Sequence, residues 1–238
     1  MRSPVPTFVR TVRKALLASP TVFDQKWNLF RGPDVLVAKS GKQRLERDLM
    51  WELFVAAVCT HAADDVKIGK PDVRCRIRDV AWGIECKVLN SPKPAKHVER
   101  VKEGVCQLQD SDIDRGFVAV NLTNVIDHHR FGESIRTFGK NLFTQDEIMR
   151  DLRHQVRAVA SPFNDVRFRE WLRRYHKTRA LFFHANSICL AGKSLSLSTF
   201  SLWVDVGNPD VTKSGELDRR NPLDEAMAIR FLRAAENL

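Results

Sequence analysis

The sequence predicts an α/β fold built on a mixed β-sheet flanked by helices, and three short runs carry that prediction. Val73-Arg74-Cys75-Arg76-Ile77 and Ile84-Glu85-Cys86-Lys87-Val88-Leu89 alternate apolar and polar residues at period two, the signature of strands with one buried face. They are close in sequence, so they read as an antiparallel hairpin. Phe117-Val118-Ala119-Val120-Asn121-Leu122 is nearly continuous in its apolar character, as in a strand covered on both sides. The helical stretch between Leu89 and Phe117 makes strand, helix and strand a right-handed crossover with a parallel pair.

The remaining elements follow along the chain. Residues 7–18 read as a short basic helix with Phe8, Val12, Ala15 and Leu16 on one side, before a loop containing Pro20, Gly32 and Pro33. A stronger helix is expected from about Gln43 to Thr60, where Leu45, Leu49, Met50, Leu53, Ala56 and Ala57 form one broad stripe. Glu46 falls near the centre of that stripe and Glu52 at its edge. A carboxylate on a buried face is costly without a cation or donors beside it, so Glu46 is either a site residue or the partner of an arginine. After the hairpin, Pro92 and Pro94 lead into a helix from about Ala95 to Gln109, packed through Val98, Val101, Val105 and Leu108. Glu133 to Gly139 and Asp146 to Val159 read as helical, the latter basic through Arg150, Arg153, His154 and Arg157. A helix from Asp165 to Thr178 carries Phe168, Trp171, Leu172 and Tyr175 on one face, a stripe read as core, with Arg167, Arg169, Arg173, Arg174 and Lys177 over the rest. Strands Ala180 to Leu190 and Leu195 to Val206 flank Ala191-Gly192-Lys193-Ser194, a hairpin signal with glycine at the turn. Asn221-Pro222 supplies an N-cap and first-turn proline for a last helix to about Glu236. With no repeat or linker, the expectation is a single domain over 1–238, with a core at 43–122 and a helical and hairpin extension at 123–238.

Charge narrows the partner. The chain has a net charge of +10 and a pI near 9.7, which favours a polyanion, although charge alone does not separate nucleic acid from an anionic membrane. No segment approaches the roughly 20 apolar residues of a membrane span. The start, Met1-Arg2-Ser3-Pro4-Val5-Pro6, lacks the apolar core and small-residue cleavage site of a secretory leader. The five cysteines, Cys59, Cys75, Cys86, Cys106 and Cys189, are odd in number and form no Cys-x-x-Cys pair, which argues against a disulfide framework or a zinc site. A cytoplasmic location is the expectation. His128-His129 is a poor metal pair, because neighbouring residues of a helix or strand point in different directions.

The chemistry gathers on the hairpin. With its turn at Asp79-Val80, Lys87 would face Asp72 directly and Glu85 would be its diagonal neighbour, about 5–8 Å away. Val73, Cys75, Ile77, Ile84, Cys86 and Val88 would then share the opposite, core face. Two carboxylates and a lysine on one patch suit a divalent metal beside a phosphodiester. Arg74, Arg76 and Arg78 share the Asp72 face, as they would on an ordinary solvated hairpin. Pro33-Asp34, Pro209-Asp210 and Asp65-Val66-Lys67 are decoys that lack the combination of proline-acid pair, hairpin and acid-x-lysine strand.

Pro71-Asp72 followed by Glu85-Cys86-Lys87 resembles the PD-(D/E)xK nuclease superfamily, the restriction-endonuclease-like fold, over about residues 43–122. The resemblance implies that Asp72 and Glu85 bind Mg²⁺, with Mn²⁺ able to substitute, that the main-chain carbonyl of Cys86 adds a ligand, and that Lys87 assists the attacking water. It makes Glu46 the third-acid choice, with Glu52 in reserve. It also makes Lys96 and Arg100, on the crossover helix, phosphate contacts, although a solvated helix face explains them equally well. Gln107 and Gln109 are similar to a glutamine on this helix in some branches. The fuller glutamine-x-x-x-tyrosine motif is absent, the only tyrosine being Tyr175. From charge density, Arg169, Arg173, Arg174 and Lys177 form a second backbone-contacting surface.

The resulting expectation is a Mg²⁺-dependent nuclease, foremost a DNA endonuclease, with restriction or antiviral defence and a homodimer or larger defence complex suggested by fold analogy alone. Two alternatives stand beside it: an RNA-cleaving toxin or effector of the same fold, and a nucleic-acid-binding module without turnover.

Overall fold

The computed structural model describes residues 41–126, 144–191, 194–206, 210–211, 217–218 and 222–236. Its centre is a six-stranded mixed sheet with strands in sequential order: β1 Asp64–Ile68, β2 Val73–Ile77, β3 Val80–Val88, β4 Arg115–Asn121, β5 Thr178–Ala191 and β6 Ser194–Asp205. β2 runs antiparallel to both β1 and β3, β3, β4 and β5 are parallel, and β6 returns antiparallel to β5. The described helices are α1 Gly41–Ala62, α2 Pro94–Gln109, α3 Gln145–Ala160, α4 Val166–Leu172 and α5 Pro222–Glu236. A two-stranded ladder, β7 Asp210–Val211 with β8 Leu217–Asp218, lies apart from the main sheet. The first basic helix, Glu133 to Gly139 and His128-His129 lie outside the described residues.

Two apolar layers sandwich the sheet. One packs α1 and α5 against Val73, Cys75, Ile77, Ile84, Cys86 and Val88, the six residues assigned to the core face of the hairpin. The other packs α2, α3 and α4 on the opposite face. β4 shows the alternation in one strand: Phe117 and Ala119 belong to the first layer, Val118 and Val120 to the second. Both faces are therefore covered, which is why this strand reads as almost unbroken apolar sequence. The capping box at Thr144, whose hydroxyl accepts from Glu147 N while Glu147 accepts from Thr144 N, starts α3. Among the described residues no helix is long and apolar enough to cross a membrane.

Two expectations need correction. The hairpin turn is Arg78-Asp79, not Asp79-Val80, because Ile77 already pairs with Val80 and Val73 with Ile84. Arg78 adopts a left-handed backbone with φ 51°, which allows a two-residue turn without glycine, and Arg76 Nη2 donates to Asp79 O at 3.2 Å across it. The pairing slips by two residues, an even number, so every side chain stays on its expected face. Continued one step past the ladder, the register sets Asp72 opposite Glu85 and makes Lys87 the diagonal neighbour. Second, the helix expected from Asp165 to Thr178 ends at Leu172. Asp165 caps its start by accepting from Arg167 N, and beyond Leu172 the chain passes through turns so that Lys177 O can receive Gly116 N at the start of β5. Asp65-Val66-Lys67, set aside as a decoy, belongs to an edge strand, β1, with Val66 and Ile68 turned inward.

Candidate active site

The hairpin positions the acids. Pro71 lies against β3 where Gly83 leaves room: a Cβ on Gly83 would fall 2.6 Å from Pro71 Cγ. Gly69 N donates to Asp72 O at 3.1 Å, closing the β1–β2 connection around the proline. Asp72 then sits just ahead of β2, half-buried, and its Oδ2 accepts from the backbone N of Cys86 at 2.8 Å. The N–H and C=O of one strand residue leave on the same edge. The Cys86 carbonyl is therefore also directed towards the β2 side, past the point where the β2 ladder begins.

Glu85 and Lys87 flank Cys86 on the opposite face, beneath α2. Both are buried, Glu85 at 6% and Lys87 at 4% exposure, far below the usual level for charged side chains. Lys87 Nζ donates to Glu85 Oε2 at 2.8 Å and to Gln107 Oε1 on α2 at 2.6 Å. Burial pushes the Glu85 carboxyl up to about 7. The Asp72 carboxylate, within hydrogen-bonding reach, adds to the rise, and Lys87 opposes it without cancelling it. Two carboxyl groups are thus held together with too little positive charge for both to ionise comfortably.

The Cys86 thiol reports the same concentration of charge from the other face. Burial raises it most, followed by the charges of Asp72, Glu52 and Glu85, with Lys87 opposing. Glu52 on α1 therefore brings a third carboxylate near the strand that carries the motif. The Glu46 side chain lies outside the described residues. Of the two acids considered on this helix, Glu52 is the one with a described electrostatic link to Cys86, between Glu85 and Lys87.

The donor set fits a hard divalent cation. Mg²⁺ typically accepts one or two protein carboxylates and keeps several waters, and excess negative charge at Asp72 and Glu85 is what a cation relieves. Among the described residues no group of three or more histidine, cysteine, aspartate or glutamate side chains is arranged as a metal cage. The fit is therefore to a sparse carboxylate site, not to an all-protein cage.

The basic residues are less uniform than the sequence suggests. Lys96 pairs with Glu99 at 2.6 Å, and Arg100 with Glu103 at 2.6 Å and with Asp48 on α1 at 3.8 Å. Arg169 Nη2 donates to Asn164 Oδ1 at 2.9 Å, while Arg173 and Arg174 are exposed. Lys177 is a correction. Its Nζ donates to Gln109 O at 3.0 Å and Ser111 O at 2.6 Å, satisfying carbonyls at the end of α2, so it anchors that helix to the start of β5. The aromatic stripe on α4 packs inward as expected, with Phe168 and Leu172 buried and Lys102 of α2 lying 4.8 Å over the Trp171 ring. Gly104 is the residue near Lys87 that sequence reasoning missed; its only signal was a glycine inside a helical pattern.

No family model, curated protein or solved structure matches this chain.

Proposed function

We propose that the protein is a divalent-metal-dependent nuclease of the restriction-endonuclease-like class, hydrolysing phosphodiester bonds in DNA as an endonuclease. The observation that carries this reading is the meeting of Asp72, Glu85 and Lys87 on adjoining strands, with Lys87 Nζ 2.8 Å from Glu85 Oε2 and the Cys86 N–H bonded to Asp72. The element order supports it as well: helix, antiparallel hairpin with the acid-x-lysine strand, crossover helix, parallel strand.

Asp72, Glu85 and the Cys86 carbonyl would hold Mg²⁺, with Glu52, whose charge reaches the Cys86 thiol, as a further acid. The cation would neutralise phosphate charge and acidify a water. Glu85 would have to be ionised for this role, so holding a cation there would release its proton. Lys87 presents a fixed ammonium group, which orients the attacking water and offsets the charge that builds on the phosphate as the water oxygen bonds to phosphorus and the ester P–O bond breaks. The net charge of +10 draws the polyanionic substrate to the protein.

The test is incubation of the purified protein with supercoiled plasmid, linear duplex, single-stranded DNA and RNA, each with Mg²⁺, Mn²⁺ or EDTA. Nicked or linear plasmid formed with either metal and suppressed by EDTA is the expected result. Cleavage of RNA alone would move the reading to the RNA-cleaving alternative. Salt-dependent binding without cleavage of any substrate would move it to the non-catalytic module.

A further inference from the structure

Gly104 occupies the middle of α2, where glycine weakens a helix relative to alanine. The residue is buried. A Cβ there would lie 3.0 Å from Lys87 Cε, 3.4 Å from Lys87 Cγ and 3.0 Å from Val118 Cγ1. The lysine stem thus crosses the helix backbone at the one position that has no side chain. One turn further along α2, Gln107 receives its ammonium group at 2.6 Å, and Glu85 receives it from the strand at 2.8 Å. With 4% exposure, Lys87 has no solvent into which its stem can swing.

We infer that Gly104 is a positioning residue for Lys87: the missing side chain forms the slot that lets a buried lysine reach from β3 along α2 to its two acceptors. The inference rests on the nuclease reading for its effect on turnover, but its geometric content stands without it. Even a methyl group at position 104 must displace the stem by a few tenths of an ångström, or lift α2 from Val118. The first outcome moves the ammonium group relative to Glu85 while leaving Asp72 and Glu85 in place.

The experiment uses the full chain as Gly104→Ala, with Gly104→Val as a larger displacement. Two readouts are taken: plasmid cleavage, and the rate at which an amine-reactive acylating reagent labels Lys87, followed by peptide mass spectrometry. For Gly104→Ala, kcat should fall about tenfold, as expected for a small misplacement of a catalytic group, while KM and the Mg²⁺ half-saturation point stay within about twofold. Lys87 labelling should accelerate in parallel. The double variant Gly104→Ala/Val118→Ala separates the two neighbours, because it relieves β4 and leaves the lysine obstructed. Persistence of both defects supports the inference. Recovery of wild-type kcat and labelling protection would show that Gly104 serves packing against β4, and would overturn it. If the wild-type protein cleaves nothing, the nuclease reading fails, and the labelling rates still decide the role of Gly104. Should Gly104→Val fail to fold, the alanine variant and its Val118 partner carry the test.

Discussion

Glu85 sets the pH dependence of the site. Its carboxyl is raised from an ordinary value of 4.5 to about 7, by burial and then by Asp72, so the folded state holds the proton more tightly than the unfolded chain. Stability present below about pH 4.5 is therefore lost as pH rises through about 7. Glu85→Gln removes that loss. The metal-free variant should be more stable than wild type at pH 8, by on the order of 3 kcal/mol, and nearly equal at pH 4.5, as measured by urea unfolding at both pH values. Metal binding runs the other way. Mg²⁺ affinity should rise between pH 6 and 8 and release up to one proton per ion, which calorimetry in buffers of different ionisation enthalpy will read. A pH-independent affinity would rule out Glu85 as a ligand that must first ionise. At this scale the sequence was most legible for residues whose chemistry is rare. A proline-acid pair and an acid-x-lysine strand place Asp72, Glu85 and Lys87 on one face by strand period alone. Gly104 was not legible, because its reason is the close approach of a lysine from another element. Lys177 was not legible either, because its partners are carbonyls at the end of a distant helix.

At the scale of elements, the hairpin and α4 show where local patterns stop being sufficient. The faces of β2 and β3 follow from alternation, but the register depends on a turn whose left-handed residue is Arg78, and no glycine or asparagine signals it. Arg78→Gly should relieve that backbone and raise stability by about 0.5–1 kcal/mol without altering cleavage, as judged by denaturant unfolding. A drop in stability would mean that the Arg78 side chain contributes more than its backbone conformation costs. β1 escaped sequence analysis because its five residues contain two inward side chains, Val66 and Ile68, too short a run for alternation to stand out. α4 ended early because the chain must turn into β5 beside Gly116, a tertiary demand that its aromatic spacing does not encode. That difference divides the basic residues. Arg169, Arg173 and Arg174 changed together to glutamate should weaken duplex binding and lower the salt slope by about one for each phosphate no longer neutralised. Lys177→Ala should instead lower the melting temperature and leave the salt slope unchanged, because its ammonium group is occupied by Gln109 O and Ser111 O. Fluorescence anisotropy across a salt series and thermal unfolding distinguish the two. An unchanged slope in the triple variant would make this face merely solvated.

For the whole molecule, two apolar layers hold the sheet from both sides, so Glu85 and Lys87 of β3 can be buried without losing the strand that carries them. The central parallel strands and crossover helix were legible because burial on both faces imposes a continuous apolar run. The long β5–β6 hairpin was legible from its two strand runs and the glycine between them. The meeting of Lys87 with Glu85, Asp72 beside them and Gln107 of α2 needed the packed layers. The most direct test of this account is Mg²⁺-dependent plasmid cleavage by wild type, Asp72→Ala, Glu85→Ala and Lys87→Ala, with Mg²⁺ binding to each measured by calorimetry. The account predicts cleavage by wild type alone, Mg²⁺ binding abolished in the two carboxylate variants, and binding retained in Lys87→Ala. Cleavage that persists in Asp72→Ala and Glu85→Ala, or in wild type with EDTA present, would contradict it.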